Sequence, residues 1–331
     1  MRRLAIVLFV FIAAIAAAII AFNLQRRARE TRTAADVAPR TGRFVDGGGV
    51  QIFVQESGPA SAPAVMLVHG TGTWSEIWRE TIDALSADHR VIAVDLPPFG
   101  YSDKPLDARA YTRQAQARRL IGVLDALHVP SVTLVAHSVG ARPAVEAALA
   151  SPDRISRLIL IDPALGFQTN GSDPPHFEQN HPSWAVRTLF TTPPLRTAVI
   201  SAYGTNPLFL EQMFGTFVSN KAAVTPQRLA IIRQPMVVRG TTPAYGAWLS
   251  VLTVAEDRSL SSDFANLRKL QMPAGIIWGR TDTVTPLWQG ERLHALIPGS
   301  RLVVLDGVGH IPYIEDPPRF TAALRELLQR G

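Results

Sequence analysis

The sequence of 331 residues contains no cysteine. Disulfide staples and thiolate metal sites are excluded, and the redox compartment leaves no trace in cysteine usage. Internal repeats are absent too, as are low-complexity tracts beyond one alanine-rich stretch near the start, so the chain is not a solenoid or an array. Net charge is missing from most of it. The overall +6 comes from residues 1–43, where eight arginines face only Glu30 and Asp36, and the remainder carries 25 groups of each sign. A balanced folded part argues against a nucleic-acid partner. What is present is apolar mass: 47% hydrophobic residues exclude global disorder, and the length suits one large domain with an insertion or two small ones.

Leu4 to Phe22 runs nineteen residues without a charge, between Arg2-Arg3 and a group formed by Arg26, Arg27, Arg29 and Arg32. At about 1.5 Å per residue such a helix nearly spans a hydrocarbon core of roughly 30 Å. It is longer than a signal-peptide core, which favours a retained single-pass anchor, and triplets such as Ala14-Ile15-Ala16 keep a cleaved signal as the alternative. The richer arginine count after the run places the folded domain in the cytoplasm, whereas a signal-anchor places it outside. Both orientations stand. Residues 23–43, polar and arginine-rich, read as a tether against anionic headgroups.

Beyond the tether, Arg43–Val45 and Val50–Val54 flank Asp46-Gly47-Gly48-Gly49, which predicts a hairpin. Short β-rich runs follow at 64–68, 91–94, 132–135, 158–161, 275–278 and 302–305, of the kind buried on both faces of a parallel sheet. Helical segments alternate with them at 74–87, 113–127, 139–150, 287–296 and 318–329. The alternation predicts an α/β fold with a mostly parallel sheet and helices on both faces. From Leu165 to about Leu270 the rhythm fails, with many prolines and scattered aromatics, and this interval is expected to be an inserted helical cap. The expected division is 1–43 anchor and tether, 44–164 with 271–331 core, and 165–270 cap.

Chemistry enters at Ala136-His137-Ser138-Val139-Gly140, which ends the run at 132–135 and reads as a strand-to-helix elbow carrying a serine nucleophile. The positions two before and two after the serine must be small, and hold Ala136 and Gly140. A serine hydroxyl needs an imidazole to take its proton and a carboxylate to orient that imidazole. Asp282 follows the strand ending at Trp278, and His310 follows the strand ending at Leu305. All three lie just past the carboxyl ends of their strands, where open α/β sheets bind ligands.

In this order, serine, aspartate, histidine, the chain resembles the α/β-hydrolase family over roughly residues 42–330. His69-Gly70-Thr71-Gly72 looks like the family's oxyanion loop, and the resemblance implies that the amides of Thr71 and Val139 hold the oxyanion. Asp95 to Asp103 resembles the loop after the next strand, with Pro98 where glycine is common. The resemblance implies catalysis by Ser138, His310 and Asp282 without a cofactor or a catalytic metal. Haloalkane dehalogenases and epoxide hydrolases of this architecture need a carboxylate nucleophile, which position 138 does not supply.

Each residue also has a plainer reading. Ser138 could be a helix N-cap, His310 a packed loop histidine, and Asp282 a cap for the helix that follows it. Asp162, at the end of another strand, is the rival acid. His69 and His137 read as structural hydrogen-bonders, and Arg142 as a surface or salt-bridged residue. Asp173, His176, Glu178 and His181 have metal-ligand chemistry, but the prolines among them suggest an irregular loop. The cap aromatics Phe167, Trp184, Phe190, Tyr203, Phe209, Phe214, Phe217, Tyr245 and Trp248 are expected mostly in the cap core, with about a third facing substrate. The leading expectation is a membrane-anchored, carboxylesterase-like serine hydrolase acting on an ester-like bond of a small or medium apolar substrate. A carbon–carbon bond hydrolase is an alternative, as is a non-hydrolytic fold member: a lyase, a cofactor-free peroxidase or a binding protein. Oligomeric state is not readable.

Overall fold

A computed structural model describes residues 2–167, 182–254 and 258–329. Its centre is an eight-stranded sheet built from β1 (Gly42–Asp46), β2 (Gln51–Ser57), β3 (Ala64–Val68), β4 (Arg90–Val94), β5 (Val132–His137), β6 (Ile155–Ile161), β7 (Ala274–Gly279) and β8 (Arg301–Leu305). The order across the sheet is β1-β2-β4-β3-β5-β6-β7-β8. The hairpin β1–β2 and the β2–β4 pair are antiparallel, and every later pair is parallel. Gly48 and Gly49 turn the hairpin with φ of 78° and 84°, a region closed to most side chains.

Strand residues alternate between two cores, as the period of two requires. Met66, Val68, Leu134, Ala136, Leu160 and Ile276 face one side, against α4 (Arg113–Ala126), α5 (Ala141–Ala150) and α12 (Trp288–Leu296). Val65, Leu67, Val135, Ile159, Ile161 and Ile277 face the other, against α3 (Arg79–Leu85) and α14 (Pro317–Gln329). Helices therefore cover both faces; β2 to β7 are buried over most of their length, while the edge strands β1 and β8 are only partly covered.

Three predicted elements differ in detail, and one of them, the helix expected over 139–150, opens as a 3-10 turn at Ser138–Gly140 before α5 begins. The helix expected over 74–87 is divided into a 3-10 turn at Ser75–Trp78 and then α3, and its first amide, that of Ser75, donates to the buried Asp95 carboxylate at 2.7 Å. Strand β6 starts at Ile155, not Leu158: polar Ser156 and Arg157 break the apolar run, and the register with β5 shifts past Ser156 before pairing resumes at Arg157.

Between β6 and β7 lies the helical cap. Its described elements are α6 (Trp184–Thr191), α7 (Pro193–Val199), a π turn (Ile200–Gly204), α8 (Leu210–Phe217), α9 (Pro226–Arg233), α10 (Thr241–Val254) and α11 (Phe264–Leu267). Glu146 of α5 ties the returning chain to the core by accepting from the Leu260 and Ser261 amides. At the other end of the chain, α1 (Arg2–Arg29) is a single helix long and apolar enough, by length and composition, to cross a membrane. A short α2 (Ala34–Val37) follows it, and α13 (Pro312–Glu315) precedes α14.

Candidate active site

Parallel register carries the ends of β3, β5, β6, β7 and β8 to one edge of the sheet, and the chemistry sits in the residues that follow them. Ser138 comes directly after β5, with φ of 53°. That left-handed conformation turns the side chain out of the strand path, at a cost of about 1–3 kcal/mol that the packed surroundings must hold. The surroundings are tight. A Cβ added to Gly140 would lie 2.4 Å from the His69 carbonyl oxygen, and one on Gly70 would lie 2.7 Å from His137 Nδ1 and 3.0 Å from the Ser138 Cβ. Ala136, where a second glycine is usual, is buried in β5 opposite Leu160.

Ser138 Oγ lies 2.9 Å from His310 Nε2, and His310 Nδ1 lies 2.7 Å from Asp282 Oδ2. All three side chains are buried. With Nδ1–H donating to Asp282, Nε2 is free to accept the serine proton. The Asp282 carboxylate also accepts from the Val284 and Thr285 amides at 2.7 and 3.0 Å and from the Thr285 hydroxyl at 2.6 Å. Burial works to raise this carboxyl, but the His310 contact and the Thr285 donors hold it below the usual range. Asp162 is built differently. It accepts from the Gly279 amide through Oδ1, and its Oδ2 is buried with no partner. Burial first, and the nearby Asp282 charge second, push Asp162 well above the ordinary carboxyl range, which favours its neutral form. Donor atoms of Asp162, Asp282 and His310 all fall within 4.8 Å of one another, a spacing that would suit a cation, yet the shortest contact among them is already a hydrogen bond.

The histidines next to the site are fixed as opposite tautomers. His69 accepts from the Leu96 amide through Nε2, so Nδ1–H donates to the Gly70 carbonyl at 2.7 Å. His137 donates Nε2–H to the His310 carbonyl at 2.7 Å and accepts the Tyr313 hydroxyl at Nδ1 at 3.0 Å. Burial lowers both, His69 to about 4, so both are neutral structural groups. Thr71 and Val139 are half-buried on the two segments that meet at Ser138. Arg142 donates to the Ala164 carbonyl at 2.7 Å, on the loop after β6.

Several positioning residues escape the sequence. Thr285 buttresses Asp282, and its only advance signal is the Asp-x-x-Thr spacing of a side-chain-capped turn. Glu315 accepts from the amides of Gly309, Ile311, Ser219 and Asn220, binding the His310 loop to the cap. Tyr313 is found only through its contact with His137. Asp173, His176, Glu178 and His181 lie outside the described residues.

The cap aromatics divide in a way that composition does not disclose. Tyr245 and Trp248 pack edge-on against Phe99 over the site, Phe217 approaches His310, and Phe214 and Phe167 are buried in the cores. Trp184, Tyr203 and Phe209 instead face outward. A cavity opens between the His69–Thr73 loop and the cap, bounded by Gly72, Phe99, Gly204, Thr205, Met213 and Tyr245. A second, beside Val139, is bounded by Leu96, Arg142, Trp248 and Leu252.

This sheet, elbow and cap define an α/β hydrolase with a serine-type site. The chain belongs to the alpha/beta hydrolase fold family, whose model matches residues 63–317. It is similar to the 2-hydroxymuconate semialdehyde hydrolase of Pseudomonas sp. (strain CF600), at 28% identity over 297 residues, covering 88% of this chain and 95% of that one. In fold it is similar to the meta-cleavage product hydrolase of Pseudomonas fluorescens IP01, with 24% identity, a TM-score of 0.69 and coverage of 87% and 98%. It is also similar in fold to a bacterial membrane phospholipase A, with 22% identity, a TM-score of 0.67 and coverage of 99% and 98%; that likeness carries no assignment of the bond cleaved. The expectation of an ester-like substrate is corrected here. The relatives are named as hydrolases of 2-hydroxymuconate semialdehyde and of 2-hydroxy-6-oxononadienedioate, compounds whose names contain no ester. An elbow and a triad specify acyl transfer to serine, and the leaving atom is set by the pocket, which the motifs do not encode.

Proposed function

We propose that the chain is a serine-type hydrolase that cleaves a carbon–carbon bond beside an aldehyde or ketone carbonyl in a small conjugated intermediate, and that α1 retains it at a membrane. The observation that carries the reading is similarity along nearly the whole chain to a hydroxymuconate semialdehyde hydrolase, joined to the hydrogen-bonded line Ser138–His310–Asp282. Residues 1–43 are assigned as anchor and tether, 44–164 and 271–331 as the core, and 165–270 as the cap. The packing of the last turns of α1 on the cap supports a retained helix over a cleaved one.

In the reaction, Ser138 Oγ forms a bond to the aldehyde or ketone carbon as its proton passes to His310 Nε2. The carbonyl electron pair moves onto oxygen, which the Thr71 and Val139 amides hold at a few kcal/mol each. Asp282 keeps the imidazolium oriented through Nδ1–H. Collapse breaks the carbon–carbon bond. Its electron pair enters the conjugated carbonyl system of the departing fragment, whose end carbon takes the proton from His310. Water, deprotonated by His310, then releases the acyl group as a carboxylic acid. Conjugation is required because an isolated carbanion is too poor a leaving group.

The test is turnover of 2-hydroxymuconate semialdehyde and its 6-oxo congeners by the full-length protein, followed as loss of the dienolate absorbance. One ¹⁸O from labelled water is expected in the released acid, and Ser138→Ala should abolish turnover. A folded wild type that leaves every such chromophore intact overturns the reading.

A further inference from the structure

Outside α1, ten large apolar side chains are exposed among the described residues, and seven of them fall between Trp184 and Phe209. Trp184 is 81% exposed and Leu208 83%, with Leu195, Val199, Tyr203 and Phe209 beside them in sequence. Scattered exposed hydrophobes need no explanation, but a concentration of this kind marks an interaction surface. These residues belong to α6, α7, the π turn and the segment leading into α8, and α7 and the π turn are the elements against which α1 packs.

The contact is a built one. On α1 the partly covered residues are Ile19, Phe22, Asn23, Arg26 and Arg29, followed by buried Glu30, a single stripe at three- and four-residue spacing. Arg29 donates to the Thr205 hydroxyl at 3.4 Å, the Thr242 amide donates to Glu30 at 3.0 Å, and Arg239 donates to the Thr31 carbonyl at 3.1 Å. Ile19 stands eleven residues before Glu30, about 16 Å up the helix axis. Ile19 and Phe22 belong to the apolar run, so the cap elements that cover them lie at the level of that run rather than below it.

From this geometry we infer that the exposed face of α6, α7 and the segment to Phe209 beds into the lipid leaflet that α1 enters. The inference rests on reading α1 as a membrane span. A lipid surface fits better than a second copy of the chain, because the patch is continuous with a helix whose Phe9, Phe11 and Ile12 are exposed in the same way. Trp184 and Tyr203 suit the boundary between headgroups and hydrocarbon, and the exposed Arg27, Arg32, Arg187 and Arg233 supply positive charge for anionic headgroups. The cavity lined by Gly72, Gly204 and Thr205 lies beside the elements so docked, Gly204 being the last residue of the π turn.

The absence of cysteine makes the test direct, since each single-cysteine variant of the full chain carries one nitroxide label. Labels at Ile12→Cys, Val199→Cys and Leu208→Cys are compared with one at Ser61→Cys, an exposed site at the opposite end of the sheet from the cap. The protein is reconstituted in phosphatidylcholine vesicles containing phosphatidylglycerol. The ratio of collision with oxygen to collision with a water-soluble nickel chelate is expected to be several-fold higher at 12, 199 and 208 than at 61. Aqueous values at 199 and 208 with a lipid value at 12 overturn the docking surface and leave the anchor intact. An aqueous value at 12 overturns the anchor as well. Dipolar broadening between labels at 208, with aqueous accessibility, would show a second copy covering the patch and overturn the lipid assignment.

Discussion

Two carboxyl groups stand within reach of His310, and their surroundings separate them. Asp282 collects a histidine, a hydroxyl and two amides, so its charged form is held, while Asp162 is buried with one oxygen unpartnered and its neutral form is favoured. Asp282→Asn should lower kcat/KM by about 10⁴, because the amide presents the wrong partner to Nδ1–H. Asp162→Asn should cost less than about tenfold, being nearly isosteric with a protonated acid. Equal losses in steady-state kinetics would refute the division. His137 gives a second prediction. Its folded value lies well below its ordinary value near 6.5, so below that pH the unfolded chain binds a proton that the folded chain refuses. Stability from this group is present above about pH 6.5 and is lost as pH falls, by about 1.4 kcal/mol per unit. In urea unfolding, the advantage of wild type over His137→Gln should therefore narrow from pH 7 to 5. A difference independent of pH would disprove it. The comparison with a variant is needed because Asp95, raised to about 6 by burial, has the opposite sign in the whole protein.

At the scale of elements, the elbow is where β5 and α5 must approach the loop after β3. Gly140 has no room for a side chain, since the atom it would meet is the His69 backbone oxygen, which cannot swing aside. Gly140→Ala is expected to cost about 1–3 kcal/mol and to lower kcat by shifting the His69–Thr73 loop. Ala136→Gly, restoring the usual residue, should cost no more than about 1 kcal/mol through strand flexibility. Thermal unfolding and initial rates on both variants check the pair. Strands and helices of the core were legible in the sequence because each is a continuous apolar run or an amphipathic segment, and these patterns are set by local spacing. The residues that buttress the site were not. Thr285, Glu315 and Tyr313 act through partners up to 176 positions away, as in the Tyr313–His137 contact, and no local pattern announces such a pairing.

For the whole molecule, the union of α1 with the cap is the feature of greatest consequence. Glu30 is buried between Arg26, Arg29 and Thr242, and removing its carboxylate leaves those donors without an acceptor. Glu30→Ala is expected to destabilise the docked arrangement by about 1–3 kcal/mol, seen as a lower unfolding temperature of the cap in detergent and faster proteolysis after Arg29. Unchanged proteolysis would mean that the helix is held by other contacts. Much of the large-scale plan follows from sequence alone: a basic apolar leader, an alternating α/β core interrupted once, and Ser138, Asp282 and His310 each just past a strand. Those features depend on composition and on periods of two and 3.6 residues, which a single chain displays in its order. Only the tertiary structure decided that Asp282 rather than Asp162 faces His310, that Trp184, Tyr203 and Phe209 turn away from the site, and that the leader rests on the cap. Each of these depends on which side chains meet across the fold, and burial and partnership exist only once the chain has closed on itself.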